Sequence, residues 1–241
     1  MTGKEILQAK GLVKQFDGVR AVDRVDFSLA QGEICALIGP NGAGKTTLIN
    51  LLAGQLHPDA GSITFAGQNV TRWKTHRRAR LGLARTFQIA ALFPSLTIRE
   101  HVEAALQADR LRLHQSVSVE QVAEDILQLC ELGGKLELRA RELSHGDQRL
   151  LELAMALARR PKLLLLDEPA AGLSSRETDR LIQRIAGIRD MAILIVEHDM
   201  NVVFQLAQRI TVIHRGRILA QGPPQEIQRD PRVQEVYLGE P

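Results

Sequence analysis

Three short apolar runs organise the chain: Ile34-Cys35-Ala36-Leu37-Ile38, Leu163-Leu164-Leu165-Leu166 and Ala192-Ile193-Leu194-Ile195-Val196. Each has strand length and ends at a polar or glycine residue. An unbroken apolar run of this kind marks a strand buried on both faces, as in a parallel sheet. Residues 5–30 alternate instead, weakly, through Ile6, Leu7, Leu12 and Val13 and then Val22, Val25, Phe27 and Leu29. That pattern predicts antiparallel strands with a turn at Asp17-Gly18. Pro58-Asp59-Ala60-Gly61 predicts another turn before a short strand, Ser62–Phe65. Leu83–Phe87 predicts a strand ending at Gln88, and residues 210–220 predict a hairpin turning at Arg215-Gly216.

Helical spacing fills the rest. Thr47–Ala53 follows the first apolar run. Residues 97–160 carry no strand signal; Val119, Val122, Ala123, Ile126, Leu127 and Cys130 share one helical face, which Gly133-Gly134 should end. Leu150, Leu151, Ala154, Leu157 and Ala158 form a second stripe, and Thr178, Leu181, Ile182 and Ile185 a third, on a helix from about Ser175 to Ile188. A short helix is expected near Gln225-Glu226-Ile227. The pattern is α/β with a helical insertion that forms a subdomain.

Between the first apolar run and its helix lies Gly39-Pro40-Asn41-Gly42-Ala43-Gly44-Lys45-Thr46-Thr47. It fits the P-loop pattern, in which glycines free the backbone N–H groups to converge on an anion at a helix N-terminus. The strand before it and the helix after it supply the context that the motif requires. Asp167 and Glu168 end the Leu163–Leu166 run, at the strand end where open α/β sheets bind ligands. Asp167 suits the metal-side role of a Walker B aspartate, and Glu168 is placed to polarise an attacking water. His198 ends the third run and is either structural or a contact for a γ-phosphate or that water. Gln88, at another strand end, is a surface glutamine or a reach toward a metal or a water. Phe16, before the hairpin turn, is a packing ring or a stacking platform for adenine. Ser144, with Asp147 three residues on, resembles a capping box that opens a helix.

Composition narrows the field. A chain of 241 residues, 44% hydrophobic and 24% charged, has room for one domain and a real core. Its net charge of +3 is no general match for nucleic acid. The basic run Arg72–Arg80 is therefore read as the solvated face of a short helix rather than a nucleic-acid patch. Leu92-Phe93-Pro94-Ser95-Leu96 places large apolar groups in a loop that suits a protein partner if exposed. Cys35 and Cys130 have no metal-ligand spacing and read as buried thiols, consistent with a reducing compartment. No signal peptide or membrane-length apolar run is evident, so a membrane role would come through a partner.

In their order and spacing these residues resemble the ATP-binding cassette (ABC) ATPases that power membrane transporters, over nearly the whole chain. Gly39–Thr47 is similar to Walker A, Gln88 to the Q-loop and Leu143–Gln148 to the family signature. Leu163–Glu168 resembles Walker B with the catalytic glutamate, Ala171-Gly172-Leu173-Ser174 the D-loop, His198 the switch histidine and Phe16 the adenine-stacking aromatic. The resemblance implies one ABC ATPase domain of the P-loop NTPase type over 1–241. Its mainly parallel core sheet and N-terminal antiparallel β subdomain would occupy 1–87 and 161–241, with an inserted helical subdomain at 88–160.

It also implies the chemistry. ATP would be bound by Phe16, Gly39, Pro40, Asn41, Gly42, Ala43, Gly44, Lys45, Thr46 and Thr47, and Mg²⁺ by Thr46, Gln88 and Asp167. Glu168 and His198 would be catalytic. Ser144 and Gly146 would meet the γ-phosphate held by a second, head-to-tail ATPase subunit. Further implied partners are integral membrane permease subunits reached through the Gln88–Leu96 segment, and indirectly a solute-binding protein, with no nucleic acid. The place is the cytoplasmic face of the membrane, as a peripheral subunit. His145 and Asp147 depart from the usual signature, and Ser174 stands where the D-loop usually ends in aspartate. Thr86-Phe87-Gln88, the Ser-His-Gly signature, Val196–Met200 and the ending Val236–Glu240 are similar to importer ATPases for branched-chain amino acids, and to relatives serving urea or short amides. A lipid-exporter ATPase shares every motif and is the alternative; a soluble cassette protein acting on nucleic acid or the ribosome is a further one.

Overall fold

The computed structural model describes residues 4–86, 92–107 and 119–238. Strands β1 (Glu5–Phe16) and β2 (Val19–Ala30) form an antiparallel hairpin. Asp17 and Gly18 join them with φ of 44° and 89°, the left-handed pair that a tight hairpin turn requires. Strand β3 (Ile34–Ile38) leads through the P-loop into helix α1 (Lys45–Ala53). Strands β4 (Ala60–Phe65) and β5 (Gln68–Asn69) add to the hairpin, giving an antiparallel sheet ordered β2-β1-β4-β5. Helix α2 (Thr75–Leu81) and strand β6 (Leu83–Arg85) follow. Among the described residues, helices α3 (Ile98–Gln107), α4 (Val119–Leu129) and α5 (His145–Ala158) come next. The chain then alternates through β7 (Leu163–Asp167), α6 (Ser175–Gly187), β8 (Ala192–Val196), α7 (Met200–Leu206) and β9 (Arg209–His214). It closes with β10 (Arg217–Gly222), α8 (Pro224–Arg229) and α9 (Pro231–Leu238).

The second sheet is ordered β10-β9-β3-β8-β7-β6, parallel except for its β10 edge. Strands β7 and β8 divide their side chains between two cores, as the strand period dictates, while β3 sends Cys35 and Leu37 to one of these and Ala36 and Ile38 to a third with Ile210 and Val212. Leu164, Leu166, Ile193 and Ile195 pack with α3–α6, whereas Leu163, Leu165, Leu194 and Val196 pack with α1 and the antiparallel sheet. The unbroken apolar runs are thus explained: both faces are covered. Cys35 and Cys130 are fully buried, and burial pushes their thiols up to about 11 and about 12.

Three expectations need correction. Helix α4 ends in front of Gly133: Glu131 takes the left-handed φ of 57°, and Leu132 N–H closes on the Leu127 carbonyl, while Gly133–Lys135 form a 3₁₀ turn. Strand β6 stops at Arg85, although Thr86 N–H still bonds the Leu165 carbonyl; Phe87 and Gln88 lie outside the described residues. The basic run does form a short helix, yet Arg78 is completely buried. Its guanidinium donates to the Leu51 and Leu52 carbonyls at 2.7 Å, and to those of Thr71 and Trp73. Helix α1 therefore has its last carbonyls met by a cation from α2, favourable both for hydrogen bonding and for the helix dipole. Burial lowers the Arg78 pKa only to about 10, so the group stays charged at neutral pH.

Arg78→Ala is expected to cost about 3 kcal/mol, because it strands several buried carbonyls. Arg80→Ala, on the exposed side of α2, should stay within about 0.5 kcal/mol of the parent. Urea unfolding of the two variants checks the contrast.

Candidate nucleotide site

Register brings three strand ends together. Leu37 of β3 lies opposite Val196 of β8, and Val196 opposite Asp167 of β7. The P-loop, the Asp167-Glu168 pair and the Glu197-His198 pair thus leave the sheet at one edge, where an open parallel sheet binds ligands. The loop's glycines are required by close packing. A Cβ at Gly39 would strike the Ile213 carbonyl, and one at Gly44, whose φ is 106°, the Ala21 carbonyl. Gly216 fastens the loop from outside: its N–H donates to Ala43 O at 2.9 Å, and its carbonyl accepts from Asp23 N at 2.8 Å.

Helix α1 begins at Gly44 with no side-chain cap, so its first-turn N–H groups remain for an anion. Lys45 folds back over the loop, donating from Nζ to Gly39 O at 2.6 Å and Pro40 O at 2.9 Å. Burial lowers its pKa, while the Glu168 and Asp167 carboxylates oppose that shift, so one cation faces both acids. Thr46 and Thr47 follow on α1, with Asn41 and Gly42 at the exposed loop tip. Phe16 is 43% exposed at the end of the β1–β2 hairpin, whose second strand abuts Gly44 through Ala21. The Lys14 ammonium lies 5.4 Å from its ring centroid.

Asp167 is buried, and its Oδ2 accepts from Arg85 Nη2 at 2.8 Å. The same guanidinium donates from Nη1 to Asn50 Oδ1 and Gln55 Oε1, both at 2.6 Å. Arg85 therefore ties Asp167 to α1. Glu168 adopts φ of 48°, a conformation non-glycine residues seldom take, and its N–H bonds Val196 O at 2.8 Å. Beside it, Glu197 is buried and accepts from the N–H groups of Ala170 at 3.0 Å, His198 at 3.1 Å and Asp199 at 3.5 Å. Burial raises the Glu197 pKa against the pull of those donors. One carboxylate thus joins the segment after Glu168 to the loop carrying His198, whose side chain is 66% exposed.

Ser144 and Gly146 lie elsewhere. Among the described residues no hydrogen bond or ion pair joins the first turn of α5 to the P-loop. Ser144 caps α5, its Oγ accepting from Asp147 N at 3.2 Å. The capping box expected from Ser144 and Asp147 is only half present. The Asp147 carboxylate does not return to Ser144; it pairs with Lys135 and, at 3.4 Å, with Arg180. The full box belongs to α6, where Ser174 and Glu177 cap each other. Glu177 Oε1 also accepts from Gly146 N at 3.0 Å.

Arg85, Glu197 and Glu177 are not evident as site residues from sequence alone. Each left a trace: a cation inside an apolar strand, an acid directly after one, and a Ser-x-x-Glu box. Gln88 lies outside the described residues. Thr46 and Asp167 are oxygen donors of the kind that suits a hard divalent cation.

The chain matches the ABC transporter family over residues 22–171 and the branched-chain amino acid ATP-binding cassette transporter family over residues 217–241. It belongs to the ABC transporter ATP-binding family. It is similar to the high-affinity branched-chain amino acid transport ATP-binding protein LivG of Salmonella typhimurium, 38% identical over 98% of each chain. It is also similar to the lipopolysaccharide export system ATP-binding protein LptB of Acidithiobacillus ferridurans, 36% identical over 98% of each. Its fold resembles the ADP conformation of MJ1267, an ATP-binding cassette of an ABC transporter, with a TM-score of 0.88 and 29% identity over 98% of this chain and 99% of that one. The protein is an ATP-binding, ATP-hydrolysing subunit of an ABC transporter. Among the described residues no helix is long and apolar enough to cross a membrane.

Glu197→Ala frees three N–H groups that hold the loops after Glu168 and before α7. Turnover of ATP should fall at least about tenfold, while nucleotide affinity stays within about threefold, since small misplacements near reacting groups are costly to rate. Steady-state kinetics beside equilibrium nucleotide binding checks this split.

Proposed function

We propose that this ATPase subunit powers the import of branched-chain amino acids, or of related small polar solutes such as urea and short amides, through partner membrane subunits. Two observations support the cargo class: the LivG relatives, and the C-terminal match to the branched-chain amino acid transporter family. That second match favours branched-chain amino acids as cargo over the lipopolysaccharide named for the LptB relative. The nucleic-acid alternative loses ground because Arg78, within the basic run, is consumed inside the fold.

The reading of the site rests on one observation, the convergence of Lys45, Asp167, Glu168 and His198 at one sheet edge. Lys45 and the N–H groups that the P-loop offers hold the phosphates, and Phe16 stacks on adenine. Thr46, Asp167 and Gln88 would hold Mg²⁺, which supplies positive charge against the phosphates. Glu168 orients the attacking water, and His198 reaches toward the γ-phosphate from its exposed loop. Ser144 and Gly146 of a second subunit, packed head to tail, complete the site. The nucleotide-binding core comprises 1–87 and 161–241, and the helical insert 88–160.

Contact with the membrane subunits falls to the Gln88–Leu96 side of the chain, on the cytoplasmic face of the membrane. A largely apolar cavity of about 360 Å³ opens there between α2, α3 and α5, lined by Leu83, Ala84, Leu92, Ala105 and Met155 among others. Phe93 stands nearby, 63% exposed, as an apolar group awaiting a partner does.

Lys45→Ala should lose productive ATP binding; unchanged turnover would refute the site. Glu168→Gln should bind ATP, dimerise and hydrolyse at least about a hundredfold more slowly, as befits a lost base. A variant that stays monomeric at saturating ATP would overturn the paired arrangement. A photocrosslinker at Phe93 should label the membrane subunits in the assembled transporter, and an unlabelled complex would count against the docking face.

A further inference from the structure

The Glu177 carboxylate of α6 rests on the N-terminal turn of α5, the turn assigned above to a phosphate from another subunit. Its Oε1 accepts from Gly146 N at 3.0 Å, while Oε2 accepts from Ser174 N at 3.0 Å and Ser174 Oγ at 2.7 Å. The Ser174 hydroxyl, then the Ser174 and Gly146 N–H groups, hold its pKa below the usual carboxylate value, so it is ionised at neutral pH. Gly146 shows that the contact is built in. A Cβ at that position would lie 2.7 Å from Glu177 Cγ and Oε1, so the missing side chain is what admits the carboxylate. Nothing in the backbone of Gly146 demands glycine: its φ is not positive. The other acid of this turn, Asp147, is neutralised by Lys135 and Arg180. Glu177 therefore supplies the negative charge that this helix end sees.

We propose that Glu177 is a positioning residue for phosphate capture: its carboxylate occupies the Gly146 N–H in the lone subunit and must yield it when the γ-phosphate of a second subunit arrives. The proposal rests on the head-to-tail reading given above. A helix N-terminus favours an anion, and two anions on one N–H repel each other, so Glu177 sets a threshold for closing the pair. It also links that threshold to the D-loop, because the same carboxylate grips Ser174. Release of Gly146 leaves Oε2 on Ser174, so the α6 cap survives the exchange.

Glu177→Gln tests this cleanly. Glutamine can keep its single carbonyl oxygen on Ser174, so α6 keeps its cap, while its amide nitrogen cannot accept from Gly146 N–H and the charge is lost. In the Glu168→Gln background, sedimentation with saturating ATP and Mg²⁺ should show the added Glu177→Gln change tightening the dimer about fivefold, the upper range of a helix-end charge effect. Added salt should shrink the difference. Binding of a fluorescent ATP analogue to the monomer should not change, and neither should the melting temperature. An unchanged or weaker dimer with an unchanged melting temperature overturns the proposal and leaves the paired reading intact. A Glu168→Gln parent that fails to dimerise at all overturns both.

Discussion

The site depends on the register between β3, β8 and β7. Ladder hydrogen bonds hold the strands together, and burial selects that register. Successive leucines of β7 point into different cores, Leu163 and Leu165 toward α1, Leu164 and Leu166 toward α6. A one-residue slip would exchange the two sets and carry Asp167 out of line with Val196. Because the strands are parallel, all their C-terminal ends emerge on one side. The chemistry-bearing residues are delivered there by the strands that carry them. Arg85 and Glu197 then fasten what the register delivers, one fixing Asp167 to α1, the other fixing the segment after Glu168 to the His198 loop.

Charge is handled differently at the sheet edge and at the first turn of α5. At the sheet edge, three acids crowd near one phosphate loop, and each has its own counterweight: Arg85 for Asp167, Lys45 facing Glu168, and backbone N–H groups for Glu197. Lys45 is held by loop carbonyls, which keeps a partly desolvated cation over the place an anion takes. At the α5 end the problem is reversed. A helix N-terminus with a serine cap attracts anions, and the chain supplies two, one paired off and one resting on Gly146. The departure of this chain from the usual signature at Asp147 thus finds its explanation in Lys135 and Arg180 rather than in nucleotide.

Much of this was readable in the sequence because it is local. The apolar runs identified the central strands, and the glycine spacing identified the loop between β3 and α1. Asp17-Gly18 identified the hairpin turn. What escaped depends on distant residues meeting. Arg78 looked like one of several solvated cations, and only the position of α1 shows that it closes that helix. The end of α4 at Leu129 defeated a rule that favours glycine, because Glu131 takes the left-handed turn, Leu132 N–H closes on Leu127, and the two glycines fall in a different turn. Asp147 had the right spacing for a capping box, but nearby cations outcompeted the cap. Glu177 lies 31 residues from Gly146, and no local pattern joins them.

The central claim is that the P-loop holds half of a site which a second subunit completes. The most direct measurement is a crystal structure of the Glu168→Gln variant with ATP and Mg²⁺. The account predicts two chains packed head to tail, with Ser144 and Gly146 of each on the γ-phosphate held by the other, and Glu177 withdrawn from Gly146. A nucleotide contacted only by its own chain, with Gly146 still on Glu177, would contradict it.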